Sequence, residues 1–148
     1  MHLTDPTTVE EWIKVSKARG GEASIALANN CDVLAIYLSC YALETALKGF
    51  SLARIGSTKR IHSLRELREI VSSGVPMSLF VGEASYIFDI GKQSDNSADF
   101  TSLRYQADLP SCPFDIALFV RDVAKVVSVV HNKALTRSKT KGKVPYGK

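Results

Sequence analysis

The sequence predicts an all-α protein, folded as an up-and-down bundle of four to five helices. Each long apolar pattern repeats at intervals of three and four residues, which is the spacing of one face of a helix. No two alternating segments are joined by an Asn-Gly type of turn, so the sequence offers no β-hairpin. At 148 residues, 45% apolar and 23% charged, the chain has the size and composition of one globular domain.

The first predicted helix begins at Asp5-Pro6. Asp is a favourable N-cap residue, and Pro in the first turn loses no hydrogen bond because that N–H has no partner inside the helix. Gly20-Gly21 costs about 2 kcal/mol relative to two alanines. The apolar spacing resumes at Ala23, so we expect the helix to continue through the glycines to Ala28.

The second predicted helix runs from Val33 to Ile55, after a break at residues 29–32. It contains no Pro, and its apolar residues fall on nearly all sides. A helix of this kind is surrounded by other helices and does not lie on a surface. We therefore expect it to be the central helix of the bundle.

The middle of the chain is less regular. Residues 63–66 have the Ser-x-x-Glu form of a capping box, which predicts a third helix from Ser63 to Ser73. The apolar stretch from Leu79 to Ile90 predicts a fourth helix, and residues 92–113 read as a long polar loop.

The last predicted helix runs from Phe114 to Leu135, with its charged residues gathered away from the apolar face. Residues 1–135 are therefore assigned to the bundle and residues 136–148 to a basic, flexible tail. The tail holds five of the nineteen basic residues and no acidic one, which leaves fourteen basic residues against fifteen acidic in the bundle. Two interpretations stay open, a solubilising tail and a salt-sensitive contact to nucleic acid.

The cysteines and the hydropathy pattern limit the kinds of site and the cellular location that we expect. Cys31, Cys40 and Cys112 form no C-x-x-C pair, so we expect buried free thiols and predict neither a disulfide nor a zinc site, and no metal or cofactor. No run of eighteen uncharged apolar residues occurs, and the N-terminus lacks the layout of a signal peptide. We therefore expect a cytoplasmic protein without a membrane anchor.

Four residues of the second helix form a polar and aromatic stripe. Tyr37, Tyr41, Glu44 and Lys48 fall within about 60° of one another at 100° per residue. One interpretation is an internal Glu44–Lys48 ion pair beneath half-buried tyrosines. The other is a binding pocket or a dimer interface, in which the tyrosines stack on a ligand and Lys48 contacts a phosphate.

Three further residues are candidates outside the stripe. His62 is expected to bond a loop carbonyl at the start of the third helix, and His131 to lie in the core or at an interface. Arg104 lies in the long polar loop, where it binds a phosphate or pairs with Asp99 or Asp108.

The segments that carry these candidates resemble a known family. Residues 37–48, with Glu44 followed by Leu47 and Lys48, and residues 59–67, centred on His62, are similar to the signature half of HEPN domains (higher eukaryotes and prokaryotes nucleotide-binding). Trp12 in the first helix and the pair Arg104-Tyr105 before the last helix extend this resemblance over about residues 9–135.

The resemblance implies a bundle that commonly forms a homodimer, occurs in toxin–antitoxin and defence systems, and often works beside a cognate nucleotidyltransferase or antitoxin protein. It also implies that ribonuclease members carry an Arg followed, four to six residues on, by a His. Here seven residues separate Arg54 from His62, and nine separate Arg121 from His131, so neither pair matches.

Three functions follow as hypotheses. The first is a non-catalytic HEPN-like module that binds a nucleotide, RNA or protein partner, with binding residues Tyr37, Tyr41, Glu44, Lys48, His62 and Arg104. The second is a divergent, metal-independent endoribonuclease whose composite dimer site uses Arg104, Arg121 and His131 as catalytic groups. The third is a purely structural dimerisation or adaptor domain.

Overall fold

The computed structural model describes residues 1–92, 98–109 and 111–143, and these are mostly helical. Four α-helices and three 3₁₀-helices follow one another, and within the described ranges only one isolated bridge, between Lys92 and Ala98, resembles β-structure. The all-α prediction is confirmed. The helices are α1 (Val9–Ala28), α2 (Asp32–Ile55), α3 (Leu64–Ile70) and α4 (Ile116–Lys143), and the 3₁₀-helices are Met77–Leu79, Gly82–Asp89 and Phe100–Tyr105.

Helix α2 is the centre of the bundle, as predicted. It packs against α1 and α4, and sixteen of its residues are buried. Gly49 lets α1 approach closely, because a Cβ at this position would lie 3.1 Å from side-chain atoms of both Trp12 and Ile13. By length and composition α2 alone among the described helices could cross a membrane, but 78% of that window is buried inside the bundle. Its apolar surface is thus already covered by protein.

Helix α1 begins later than predicted. Its N-cap is Thr8, whose Oγ1 accepts a hydrogen bond of 3.1 Å from the N–H of Glu11. The Glu11 carboxylate in turn accepts a bond of 3.0 Å from the N–H of Thr7. This Thr-x-x-Glu arrangement satisfies two backbone N–H groups at the start of the helix. Asp5 instead forms an exposed pair with Arg60. The N-cap predicted at Asp5 was therefore wrong. The predicted continuation of α1 to Ala28 is confirmed.

The α-helix predicted over residues 79–90 is wrong, because this stretch forms two 3₁₀-helices and α3 also ends early, at Ile70. Gly82 has a left-handed φ of 61°, which interrupts a regular helix. The N–H of Glu83 then donates to Asp122 of α4 at 3.0 Å, and a Cβ on Gly82 would lie 2.5 Å from that carboxylate. The conformation is set by a contact with α4.

The long loop predicted after residue 92 contains a third 3₁₀-helix, Phe100–Tyr105. Asp99 caps it by accepting a bond of 2.9 Å from the N–H of Thr101, and the buried side chains of Phe100 and Leu103 fix it against the core. This helix holds Arg104 in a defined position beside α2.

Helix α4 extends to Lys143, eight residues beyond the predicted boundary at Leu135. Residues 136–141 contain no Gly or Pro, the two residues that disfavour a helix most, so the backbone continues as a helix. The remainder of the predicted tail, residues 144–148, lies outside the described residues, and its mobility stays a prediction.

All three cysteines are free thiols, as predicted, but only Cys40 is buried. Cys31 is exposed because it lies at the connection between α1 and α2, where it is the N-cap residue of α2. Among the described residues, no group of three or more His, Cys, Asp and Glu side chains is placed to hold a metal ion.

Candidate functional site

The stripe on α2 is centred on a buried carboxylate. The Glu44 side chain is 2% exposed, and its Oε1 lies 3.3 Å from Nζ of Lys48, one turn further along the helix. The same oxygen lies 2.5 Å from Nδ1 of His62. The ion pair expected between Glu44 and Lys48 is therefore present, and the second hydrogen-bonding partner of Glu44 comes from the loop between α2 and α3.

His62 contacts Glu44 and not a loop carbonyl, so that part of the prediction was wrong. An ionised carboxylate only accepts hydrogen bonds, so Nδ1 of His62 carries the proton in this contact. The His62 side chain is 53% exposed, which places the rest of the ring at the surface. The contact ties the loop over residues 56–63 to the centre of α2.

The C-terminal part of the stripe, from Tyr41 to Lys48, packs against α1. The Lys48 ammonium lies 5.5 Å from the centre of the Trp12 ring, close enough for a cation–π interaction. The guanidinium of Arg19 lies 6.0 Å from the Tyr41 ring and also pairs with Glu22 at 3.1 Å.

The N-terminal part of the stripe, Tyr37 and Tyr41, is aromatic. Tyr37 contacts Tyr41, with ring centres 6.1 Å apart, and Phe100, with ring centres 5.7 Å apart. Burial raises the pKa of Tyr37, while the positive charge of the nearby Arg104 guanidinium opposes that rise. The hydroxyl of Tyr37 therefore stays protonated, and Arg104 lies beside it at the edge of the stripe.

Arg104 and Tyr105 form the exposed end of the site. Nε of Arg104 donates to the carbonyl of Thr101 at 3.1 Å, and its guanidinium lies 5.7 Å from the centre of the Tyr105 ring. Tyr105 is 81% exposed. A cation beside an uncovered aromatic face is thus presented to solvent, and no ion pair of Arg104 with Asp99 or Asp108 occurs among the described residues.

The six residues predicted for binding form two contacting groups: Glu44 contacts Lys48 and His62, and Tyr37 lies beside Tyr41 and Arg104. Four come from α2, one from the loop before α3 and one from the 3₁₀-helix over residues 100–105. Sequence reasoning missed Arg19 and Tyr105 as neighbours of this set. Arg19 follows Trp12 by seven residues, two turns along the same helix face, and that spacing was the available signal.

His131, by contrast, is a core residue. It is 7% exposed, and its Nε2 lies 2.7 Å from Oγ of Ser16, which itself donates to the carbonyl of Ala42 at 2.6 Å. Since the Ser16 hydroxyl proton is used by Ala42, Nε2 of His131 is the donor to Ser16. Burial, assisted by the charge of Lys17, lowers the pKa of His131 to about 4, so the ring is neutral at pH 7.

Arg121 does not meet His131. Its side chain is 58% exposed and pairs with the adjacent Asp122 at 3.1 Å. The N–H of Glu83, and to a smaller extent Arg121, lowers the pKa of Asp122, so this partner stays charged. Ten positions along α4 separate Arg121 from His131, about 15 Å, and one side chain is exposed while the other is buried. They cannot contact one phosphate within a single chain.

Comparison with known proteins agrees with this architecture. The family model for the HEPN domain matches residues 9–127, which include α1, α2, α3 and the first part of α4. The chain belongs to the HEPN family. No curated protein and no solved structure matches it.

Membership gives a coarse functional class, a helical module related to nucleotides or RNA. The match to the HEPN domain contains the whole stripe, with His62 and Arg104, but it ends before His131. The stripe therefore lies within the matched HEPN segment, and His131 lies outside it.

Proposed function

We propose that this HEPN chain is a non-catalytic module that binds a nucleotide or single-stranded RNA at the stripe. The observation that supports this most is the exposed pair Arg104-Tyr105, a guanidinium beside an aromatic ring, next to the half-buried Tyr37 of α2. Bases of single-stranded RNA stack on aromatic side chains, and Arg is the side chain best suited to phosphate.

The arrangement favours a nucleotide over a purely apolar ligand. Tyr105 offers a stacking face, Arg104 beside it offers a guanidinium, and His62 adds a titratable ring whose orientation is fixed by Glu44. Base stacking on an aromatic side chain contributes about 1–3 kcal/mol per base and tolerates any base. The site therefore favours binding with little sequence preference.

Binding at the stripe is tested by replacing Tyr105 with Ala. Because Tyr105 is 81% exposed, the fold should be unchanged, while the loss of one stacked base should weaken RNA binding about tenfold. Fluorescence anisotropy with a labelled single-stranded RNA, and calorimetry with a mononucleotide, would measure the effect and separate the two ligands. Ile25→Ala, which truncates another exposed apolar side chain on α1, is the matched control.

Equal affinities of the Tyr105→Ala and Ile25→Ala proteins would contradict the proposal. Absence of binding of either ligand to the unaltered chain would contradict it as well.

We also expect no RNA cleavage. Metal-independent cleavage needs a base and an acid at one phosphate, and His131 is buried and neutral while Arg121 is held by Asp122. His62, oriented by Glu44, is one titratable ring without a second beside it among the described residues.

Incubating the protein with single-stranded RNA and EDTA checks this, with RNA length read on a denaturing gel. Intact RNA is the expected result. Cleavage that disappears in His62→Asn or Arg104→Gln would establish a ribonuclease centred on the stripe instead.

A further inference from the structure

A second charged feature lies at the end of the bundle where α2 and α3 terminate. Arg54 belongs to the last turn of α2, Arg68 to the last turn of α3, and Lys133 to α4. These three residues, which we name the basic cluster, converge on the turn over residues 71–75. Lys133 Nζ donates to the carbonyl of Gly74 at 2.6 Å, and Arg68 Nη1 donates to the carbonyl of Val75 at 3.2 Å.

The turn that gathers the cluster is held tightly against α2. A Cβ on Gly74 would lie 2.6 Å from the ring of Phe50, a separation that real Cβ atoms do not reach. The same position lies 3.1 Å from Nη1 of Arg54. Only glycine lets the turn approach so closely, and this approach brings Arg54 to the residue that Lys133 also contacts.

The positive charge of the cluster is not balanced locally. Within the described part of the chain, no carboxylate lies within 4.0 Å of the charged group of any of the three residues. The C-termini of α2 and α3 supply only about −0.5 charge each, so roughly two of the three positive charges remain. Lys133 uses one of its three donors and Arg68 one of its five, which leaves donors for a ligand.

The sequence continues this charge beyond the cluster. After Lys133 the backbone of α4 runs on through four more basic residues, and no acidic residue follows to the end of the chain. Unbalanced cations of one sign, without an apolar core between them, fit a phosphate backbone better than a protein partner, since protein interfaces have an apolar core.

We propose that the basic cluster is a phosphate-binding site for the backbone of single-stranded RNA. It is distinct from the stripe, because Arg54 follows Lys48, the nearest stripe residue, by six residues, about 9 Å along α2, and follows Tyr37 by seventeen residues, about 25 Å. The proposal does not depend on the stripe binding a base. With both sites occupied, one strand would contact the stripe through a base and the cluster through its phosphates.

The test is the salt dependence of binding to a short oligouridine, measured by anisotropy on the full chain. In the double variant Arg54→Gln/Lys133→Gln two phosphate contacts are lost. The slope of log affinity against log salt should then become shallower by about 1.4, since each contact contributes about 0.7 with single strands. Arg68 is retained so that its bond to the turn survives.

The matched control is Lys14→Gln/Lys125→Gln, which removes the same charge from two exposed lysines on α1 and α4. An equal change of slope in both double variants would overturn the proposal, because net charge alone would then explain it. An unchanged slope in the cluster variant would overturn it too. If that variant melts early, Arg54→Gln alone serves, with about half the change of slope expected.

Failure here is distinguishable from failure at the stripe. Tyr105→Ala removes a stacking face and no charge, so it should lower affinity without changing the slope. If the cluster variant changes the slope and Tyr105→Ala does not change the affinity, the cluster is the RNA-binding site and the stripe is not.

Discussion

Replacement of Lys48 by Met is expected to lower the free energy of unfolding by about 3 kcal/mol. The Glu44 carboxylate is 2% exposed, and without Lys48 it retains only the hydrogen bond to His62 among the described residues. A buried charge that loses a partner is strongly destabilising, because its lost hydration is no longer compensated. Methionine keeps most of the contact with the Trp12 ring, so the effect reports mainly on the charge. Urea unfolding, with midpoint and slope both fitted, would measure it.

The double variant Glu44→Leu/Lys48→Met separates charge from packing. Removing both members of a buried pair leaves no uncompensated charge, so the double variant should be within about 1 kcal/mol of the unaltered chain. If instead the double variant is as unstable as Lys48→Met, the loss arises from packing against Trp12 and the charge argument is wrong.

Acid should destabilise the protein through His131. The pKa of this ring is about 4 in the folded chain and 6.5 when exposed, so the unfolded chain binds more protons between these values. Neutral His131 leaves the free energy of unfolding at its full value above pH 6.5, and this free energy falls as the pH falls toward 4. The total loss due to His131 is about 3 kcal/mol, from about 1.4 kcal/mol per pKa unit.

The effect is measured as the free energy of unfolding at several pH values from 7 to 4. In His131→Gln, which retains a donor for Ser16, the decline over this range should be smaller by that amount. His2→Gln, a change at an exposed histidine, should leave the decline unaltered. Parallel curves for the unaltered chain and His131→Gln would show that His131 does not account for the acid sensitivity.

Helices were predictable wherever spacing within one segment determined them. α2 was placed within one residue at its start, because apolar residues fall on nearly all sides from Leu34 to Leu52 and this pattern is typical of a helix surrounded by others. The stretch around Gly82 was not predictable, since its conformation depends on Asp122, which lies 39 residues from the N–H it accepts. The N-cap of α1 was missed, because Asp5 is also a favourable N-cap residue by local propensity, whereas Thr8 is the residue that caps the helix.

The same division applies to the candidate site. Tyr37, Tyr41, Glu44 and Lys48 share one helix face, so their arrangement follows from the geometry of α2 alone. The contact between His62 and Glu44, and that between Arg104 and Tyr37, join separate segments and have no periodicity to reveal them. The basic cluster was also missed, because Arg54, Arg68 and Lys133 come from three helices and meet only through the close approach of Gly74.

The short connection between α1 and α2 has a consequence for the order of folding. Three residues join these helices, and Asn30 turns the chain there with a left-handed φ of 57°. Docking α4 on α2 instead closes a loop of about 60 residues, at an additional entropic cost of about 2–3 kcal/mol. The α1–α2 hairpin therefore has the kinetic advantage, and it already contains Trp12, Glu44 and Lys48. The stripe forms early, from residues close in sequence, whereas the His131 contact and the basic cluster form only when α4 docks on α2.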